Sequence, residues 1–203
     1  MKIYNQVIEK LIGLNSISGL VAVFIALTGY LIGYLLYPAQ NYNIGYMGSE
    51  LGIGPGGIFF NLGIILSGFF FFLFINYLEK VITRDEVNRK WRRSTTNLAK
   101  VSVFTYSLLG VFPGLNNNLL IFIIHGILVF VCYTSAFFFI LMISIYFYRN
   151  SNFLKLQAYI GFFIALEIFI FLFSWSSIVQ WIFTLTYFAW IAFIAGFMWI
   201  KKI

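Results

Sequence analysis

Six stretches of this chain carry apolar residues on every helical face, separated by short polar breaks. They cover residues 18–37, 57–77, 95–115, 119–148, 154–174 and 178–200. A helix that is hydrophobic all round is stable only inside a large core or in lipid, and about 20 such residues cross the ~30 Å hydrocarbon layer of a bilayer. The pattern predicts an all-α polytopic bundle of six transmembrane helices, one membrane domain over residues 1–203. The third stretch is the least apolar, because Lys100 lies inside it. A lysine near a helix end can extend its ammonium to the interface. The fourth is about 45 Å long at 1.5 Å per residue, so it must tilt, kink or begin among headgroups.

Residues 1–14 read differently. Ile3, Val7, Ile8, Leu11 and Ile12 recur at helical spacing opposite Lys2, Asn5, Gln6, Glu9 and Lys10. That pattern suits an amphipathic helix on the membrane surface or a polar extension of the first span, and it is not that of a secretory leader. The cluster Pro113, Gly114, Asn116, Asn117 and Asn118 marks a turn between the third and fourth stretches.

Charge then orients the bundle. Lys2 and Lys10 precede the first stretch; Lys80, Arg84, Arg89, Lys90, Arg92, Arg93 and Lys100 lie between or just inside the second and third; Arg149 and Lys155 separate the fourth and fifth; Lys201 and Lys202 follow the sixth. The other three loops carry no Lys or Arg. Basic residues mark cytoplasmic loops, so an even number of spans with both termini inside satisfies every one. The net charge of +7 is topological on this reading. Arg89, Lys90, Trp91, Arg92 and Arg93 could also contact anionic headgroups of the inner leaflet. With no soluble domain to present such a patch, nucleic acid is not an expected partner; membrane lipids are.

Composition agrees. Hydrophobic residues make up 62% and charged residues 9%, against roughly 25% charged in a soluble domain. The expected location is the cell membrane, as a multi-pass protein. Cys132 and His125 are the sole cysteine and histidine, which excludes an intrachain disulfide and any two-imidazole site. No metal or cofactor is expected. Spans in lipid associate through small residues, and Gly29/Gly33, Gly63/Ser67, Gly161/Ala165 and Ala192/Gly196 supply such steps, read as internal seams. Trp175, Trp181 and Trp199 stand near span ends, as interfacial anchors do.

The residues that lipid penalises carry the functional reading. Counted from the outer ends of their spans by helical rise, Asn61 lies about 6 Å deep, His125 about 9 Å, Glu167 about 10 Å and Thr184 about 9 Å. Gln180 lies just above this band, and Ser49, Glu50 and Gly52 belong to the outer loop leading into the second span. Glu167 is the one acidic residue within the apolar stretches. An intramembrane carboxylate calls for a partner, and a Glu167–His125 pair joined by Asn61, Gln180 or Thr184 is the expectation. Such a band either ties helices together or forms a site for a polar ligand. No hydrolytic machinery is recognisable: Ser102, Ser107, Ser135 and Ser144 lack triad neighbours, and the glycines around Pro55 lack the Lys of a phosphate loop.

Residues 47–68, MGSELGIGPGGIFFNLGIILSG, resemble the signature of the prokaryotic family called Domain of Unknown Function 998, in an S-x-L-G turn followed by a span opening F-N and closing on glycine. The matching positions are Ser49, Leu51, Gly52, Phe60, Asn61 and Gly68. A second block over residues 109–130 resembles the family's G-x-F-P step and single-histidine helix, in Gly110, Phe112, Pro113 and His125. Gly114 stands where members often carry an acid. The family is distantly similar to six-span proteins of the Frag, DRAM and Sfk type, and the resemblance implies a lipid-related role. The leading expectation is a non-enzymatic protein that binds or influences phospholipid through Asn61, His125, Glu167, Gln180 and Thr184. A small proton-linked transporter or channel and an intramembrane lipid-modifying enzyme are the alternatives.

Overall fold

A computed structural model describes residues 2–37, 45–84, 88–114 and 118–202, with side chains from Ser16 onward in the first helix. Among the described residues there are helices and no strands: α1 (Lys2–Leu35), a 3-10 turn (Gly48–Ile53), α2 (Gly57–Arg84), α3 (Arg89–Leu109), α4 (Leu119–Arg149), α5 (Lys155–Ser174) and α6 (Ser177–Lys201). Five of the helices, all but α3, are long and apolar enough to cross a membrane. The α1 backbone is helical without a break from Lys2 into the apolar stretch. The amphipathic face expected over residues 1–14 lies outside the described side chains.

Each helix packs on its neighbours in sequence, and α6 returns to α1, closing a ring. Every adjacent pair is antiparallel. Gly29 and Gly33 of α1 approach Gly63 and Gly56 beside α2 in reverse order; Lys100 of α3 meets Glu79 of α2, while Tyr106 meets Ser67. Gly161 of α5 sits on Ser144 of α4, and Gly19 of α1 on Ala195 of α6. An even, alternating ring puts the start of α1 and the end of α6 at one end of the bundle, here called proximal, and the 3-10 turn at the distal end.

The third helix departs from its expected span. It begins at Arg89 and ends at Leu109 instead of covering residues 95–115. The Asn88 side chain caps it, accepting from Lys90 N at 2.9 Å and Trp91 N at 3.4 Å, which satisfies backbone donors that the first turn would otherwise leave open. It turns at Gly110, ahead of Pro113. Lys100 needs no long reach to the interface, since its ammonium bonds the Glu79 carboxylate of α2 at 2.6 Å.

Small residues set the seams, as expected for three of the four steps. A Cβ on Gly63 would stand 2.9 Å from Gly29 Cα, and Ser144, Gly161 and Trp190 crowd one another between α4, α5 and α6. The Ala192/Gly196 step is different: nothing lies within 4 Å of a Cβ at Gly196, so that glycine does not lie in an internal seam. Large apolar side chains face outward around the ring, among them Phe24, Phe104 and Phe173, the last 76% exposed. A soluble monomer rarely shows so continuous an apolar surface, which fits a multi-pass membrane protein.

Candidate functional site

The distal end is built around the 3-10 turn, which folds back over the ring. Met47 N donates to the Glu50 carboxylate at 3.1 Å, and Gly48 N donates to Gln180 Oε1 of α6 at 2.8 Å. Leu51 is fully buried beside Tyr30 and Phe60. The Asn61 amide donates to Gly52 O at 2.9 Å, and a Cβ at Gly52 would come within 2.6 Å of Asn61 Oδ1. Only glycine leaves room for that clamp. The segment after α3 then packs on it: Gly110 abuts Asn61 O, Pro113 reaches Gly52, and His125 Nδ1 bonds Phe112 O at 2.7 Å. Two blocks some fifty residues apart in sequence thus form one distal cap.

Under the cap lies a cavity of about 270 Å³, lined by Ser49 and Glu50 of the turn, Gly114, Phe122, His125 and Gly126 of the α4 side, Phe171 and Trp175 of α5, and Gln180 of α6. His125 is 7% exposed, and its Nε2, which faces Gly114, makes no hydrogen bond among the described residues. The Ser49 hydroxyl and one oxygen of Glu50 are likewise without a described partner. Phe122 and Trp175 are about half exposed, and no atom lies within 4 Å of a Cβ at Gly126. The vestibule is therefore open between the distal ends of α4 and α5. Trp175, the C-cap of α5, holds a left-handed backbone at φ 48°, which is uncommon for a bulky residue, and this turn sets its ring at the rim.

Two smaller cavities lie inward of the vestibule and share walls with it or with each other. One, of about 30 Å³, shares Ser49, His125 and Gln180 with the vestibule and adds Tyr30, Tyr106 and Tyr133. The other, of about 60 Å³ on the ring axis, shares those three tyrosines and adds Ser102, Cys132, Thr184 and Tyr187. Tyr106 shares a hydrogen bond with Ser67 at 3.3 Å, Gln180 Nε2 donates to Tyr133 at 3.5 Å, and the Cys132 thiol donates to Ser102 O at 3.4 Å. Phe71 and Phe188, stacked with centroids 6.2 Å apart, form part of this innermost wall.

The expected band is thus divided. His125 and Gln180 line the vestibule, Thr184 lines the axial cavity, and Asn61 holds the cap in place. Glu167 does not join them: its Oε2 accepts from Thr186 Oγ1 of α6 at 2.7 Å and its Oε1 has no partner. The Glu167–His125 pair is not formed, because Glu167 faces α6 while His125 faces the ring interior. The basic cluster lies at the proximal end, where Arg89 and Arg93 are exposed, Arg92 is half-buried, and Lys90 and Trp91 border a separate cleft. Sequence reasoning missed the four axial tyrosines, although their mid-span positions invited the depth argument applied to Asn61. The sequence makes Trp175 an interfacial anchor at a span end; that it also borders a cavity has no signal in the sequence. Among the described residues no three His, Cys, Asp or Glu side chains group together.

Chemically, the vestibule offers one carboxylate, a histidine nitrogen, a hydroxyl and an amide at the end of an aromatic wall. That set recognises a small polar group joined to something apolar. Comparison with family models, curated proteins and solved structures finds no match to this chain.

Proposed function

We propose that this is a six-span protein of the cell membrane, both ends cytoplasmic, whose distal vestibule binds the headgroup of an outer-leaflet phospholipid. The orientation rests on the cations: Arg89, Lys90, Arg92, Arg93, Arg149, Lys155, Lys201 and Lys202 all belong to the proximal end, and the distal loops carry none. Counting α3 as a span rests on its place in the ring, antiparallel to both neighbours.

One observation carries the ligand class: a histidine nitrogen without a described protein partner, facing an open vestibule walled by aromatic side chains. A ligand oxygen in the vestibule would meet a ring nitrogen that no described protein group occupies. A vestibule of about 270 Å³ falls just below the ~300–1,000 Å³ of sites that enclose whole small molecules. It suits a headgroup whose acyl chains stay outside, past Phe122 and Trp175. Glu50 with these rings favours an ammonium-bearing headgroup, while His125 and Ser49 face its phosphate ester. Membership of the Domain of Unknown Function 998 family is part of the proposal. It is supported by the convergence of both resembling blocks on this cap.

The test is lipid retention by the purified chain, read by mass spectrometry. His125→Leu and Glu50→Gln should each lower retained phosphatidylethanolamine severalfold relative to phosphatidylglycerol. Equal retention in both variants and the parent would refute a headgroup site here. A second reading, a conduit for a small solute, is favoured by three cavities that share successive walls from the vestibule to Cys132. Its mark is flux into vesicles that Gln180→Leu abolishes; Glu167, off this path, would not control it.

A further inference from the structure

The proximal end carries a second recess, and its chemistry is the reverse of the first. An open cleft of about 890 Å³ lies between the start of α3 and the end of α4, bordered by Lys90, Trp91, Tyr146, Arg149, Asn150 and Ser151. Lys90 and Arg149 come from different helices, and neither has a carboxylate within 4 Å among the described residues. The backbone donors of Lys90 and Trp91 are taken by the Asn88 cap, so the two side-chain cations supply the attraction. Between them the floor is apolar: Trp91 is half-buried, with its ring 6.2 Å from that of Tyr146, and Ile145 completes it.

Two cations without a carboxylate partner among the described residues, set over an aromatic floor where a helix ring leaves the hydrocarbon, match a ligand with one anionic centre and an apolar body. We infer that this cleft binds a phosphate-centred anion, with Lys90 and Arg149 on its oxygens and Trp91 against its carrier. Arg forms forked bonds to phosphate and Lys adds a point charge. The carrier on this side is an anionic glycerophospholipid of the inner leaflet, or a soluble phosphate ester reaching the same cations from the cytoplasm. The inference takes its membrane side from the orientation proposed above but is independent of the distal vestibule.

The test uses the full chain in nanodiscs of phosphatidylcholine, titrated with brominated phosphatidylglycerol or brominated phosphatidylcholine. Trp91 quenching is isolated as the difference between the parent and Trp91→Phe. Quenching should saturate at a lower fraction of the anionic lipid. A direct charge-assisted contact to phosphate is worth about tenfold or more in affinity, so Lys90→Gln with Arg149→Gln should raise half-saturation roughly 100-fold. Lys201→Gln with Lys202→Gln removes the same charge at the same end and should change it less than twofold. Equal quenching by both lipids, or an equal shift from the Lys201/Lys202 pair, would overturn the site in favour of general surface attraction. Glycerol 3-phosphate that relieves quenching only when Lys90 and Arg149 are present supports the soluble carrier; quenching that resists it supports the lipid. Native mass spectrometry of the unsubstituted chain, comparing retained anionic with zwitterionic lipid, decides the question even if a variant fails to fold. Loss of this binding with distal phosphatidylethanolamine retention intact would refute the cleft alone.

Discussion

Gly63→Ala and Gly196→Ala make the same chemical change on two faces of the ring, and they should have opposite effects. Alanine is favoured over glycine within a helix by roughly 0.5–1 kcal/mol, so at an open position the substitution stabilises. Gly196 is such a position, with no atom within 4 Å of the added methyl. At Gly63 the methyl would stand 2.9 Å from Gly29 Cα and 3.4 Å from Ile25 O. Both are backbone atoms, so no side chain can rotate away. The α1–α2 seam must open by about half an ångström, and a gap of about that size forfeits a quarter or more of each dispersion contact along it. Overpacking of this kind costs about 1–3 kcal/mol, which exceeds the helix gain. Unfolding in mixed micelles, followed by circular dichroism against the fraction of denaturing detergent, should place Gly63→Ala about 1–2 kcal/mol below the parent and Gly196→Ala slightly above it. A Gly63→Ala protein as stable as the Gly196→Ala protein would refute the close approach of α1 and α2.

The remaining predictions concern orientation and Glu167. In a Cys132→Ala background, a cysteine introduced at Tyr46 should react with an impermeant maleimide added outside intact cells, and one at Ser151 only after lysis; the opposite labelling would invert the orientation. Thr186→Val removes the described donor to Glu167 and should cost about 1–3 kcal/mol in the same detergent assay. No loss would mean that the carboxyl is satisfied from elsewhere.

Depth was legible in the sequence and direction was not. The 1.5 Å rise placed Asn61, His125, Glu167 and Thr184 at similar levels, but which neighbour each side chain meets depends on rotation about its helix axis. That rotation is set by seams such as Gly29 on Gly63. Glu167 therefore meets Thr186 instead of His125. Apolar runs located α4, α5 and α6 closely, because in those stretches hydropathy and helix end together. They placed α3 six residues late at both ends, since Asn88 and Gly110 define a helix by capping and turning, to which hydropathy is blind. The resembling motif blocks were visible as residues; that they touch, through Asn61, Gly52, Pro113 and Phe112, is tertiary information.

Ring closure by α6 against α1 also fixes an order of events during synthesis. Gln180 on α6 and Tyr30 on α1 border the same 30 Å³ cavity, and Gln180 also holds the turn through Gly48. Until the last helix leaves the ribosome and enters the bilayer, the five earlier helices lack the partner that closes the ring, and the cap lacks its tie to Gln180. Quality control acting on the nascent chain would meet an unclosed ring up to that moment, and the closed bundle would arrive in a single step with the final helix.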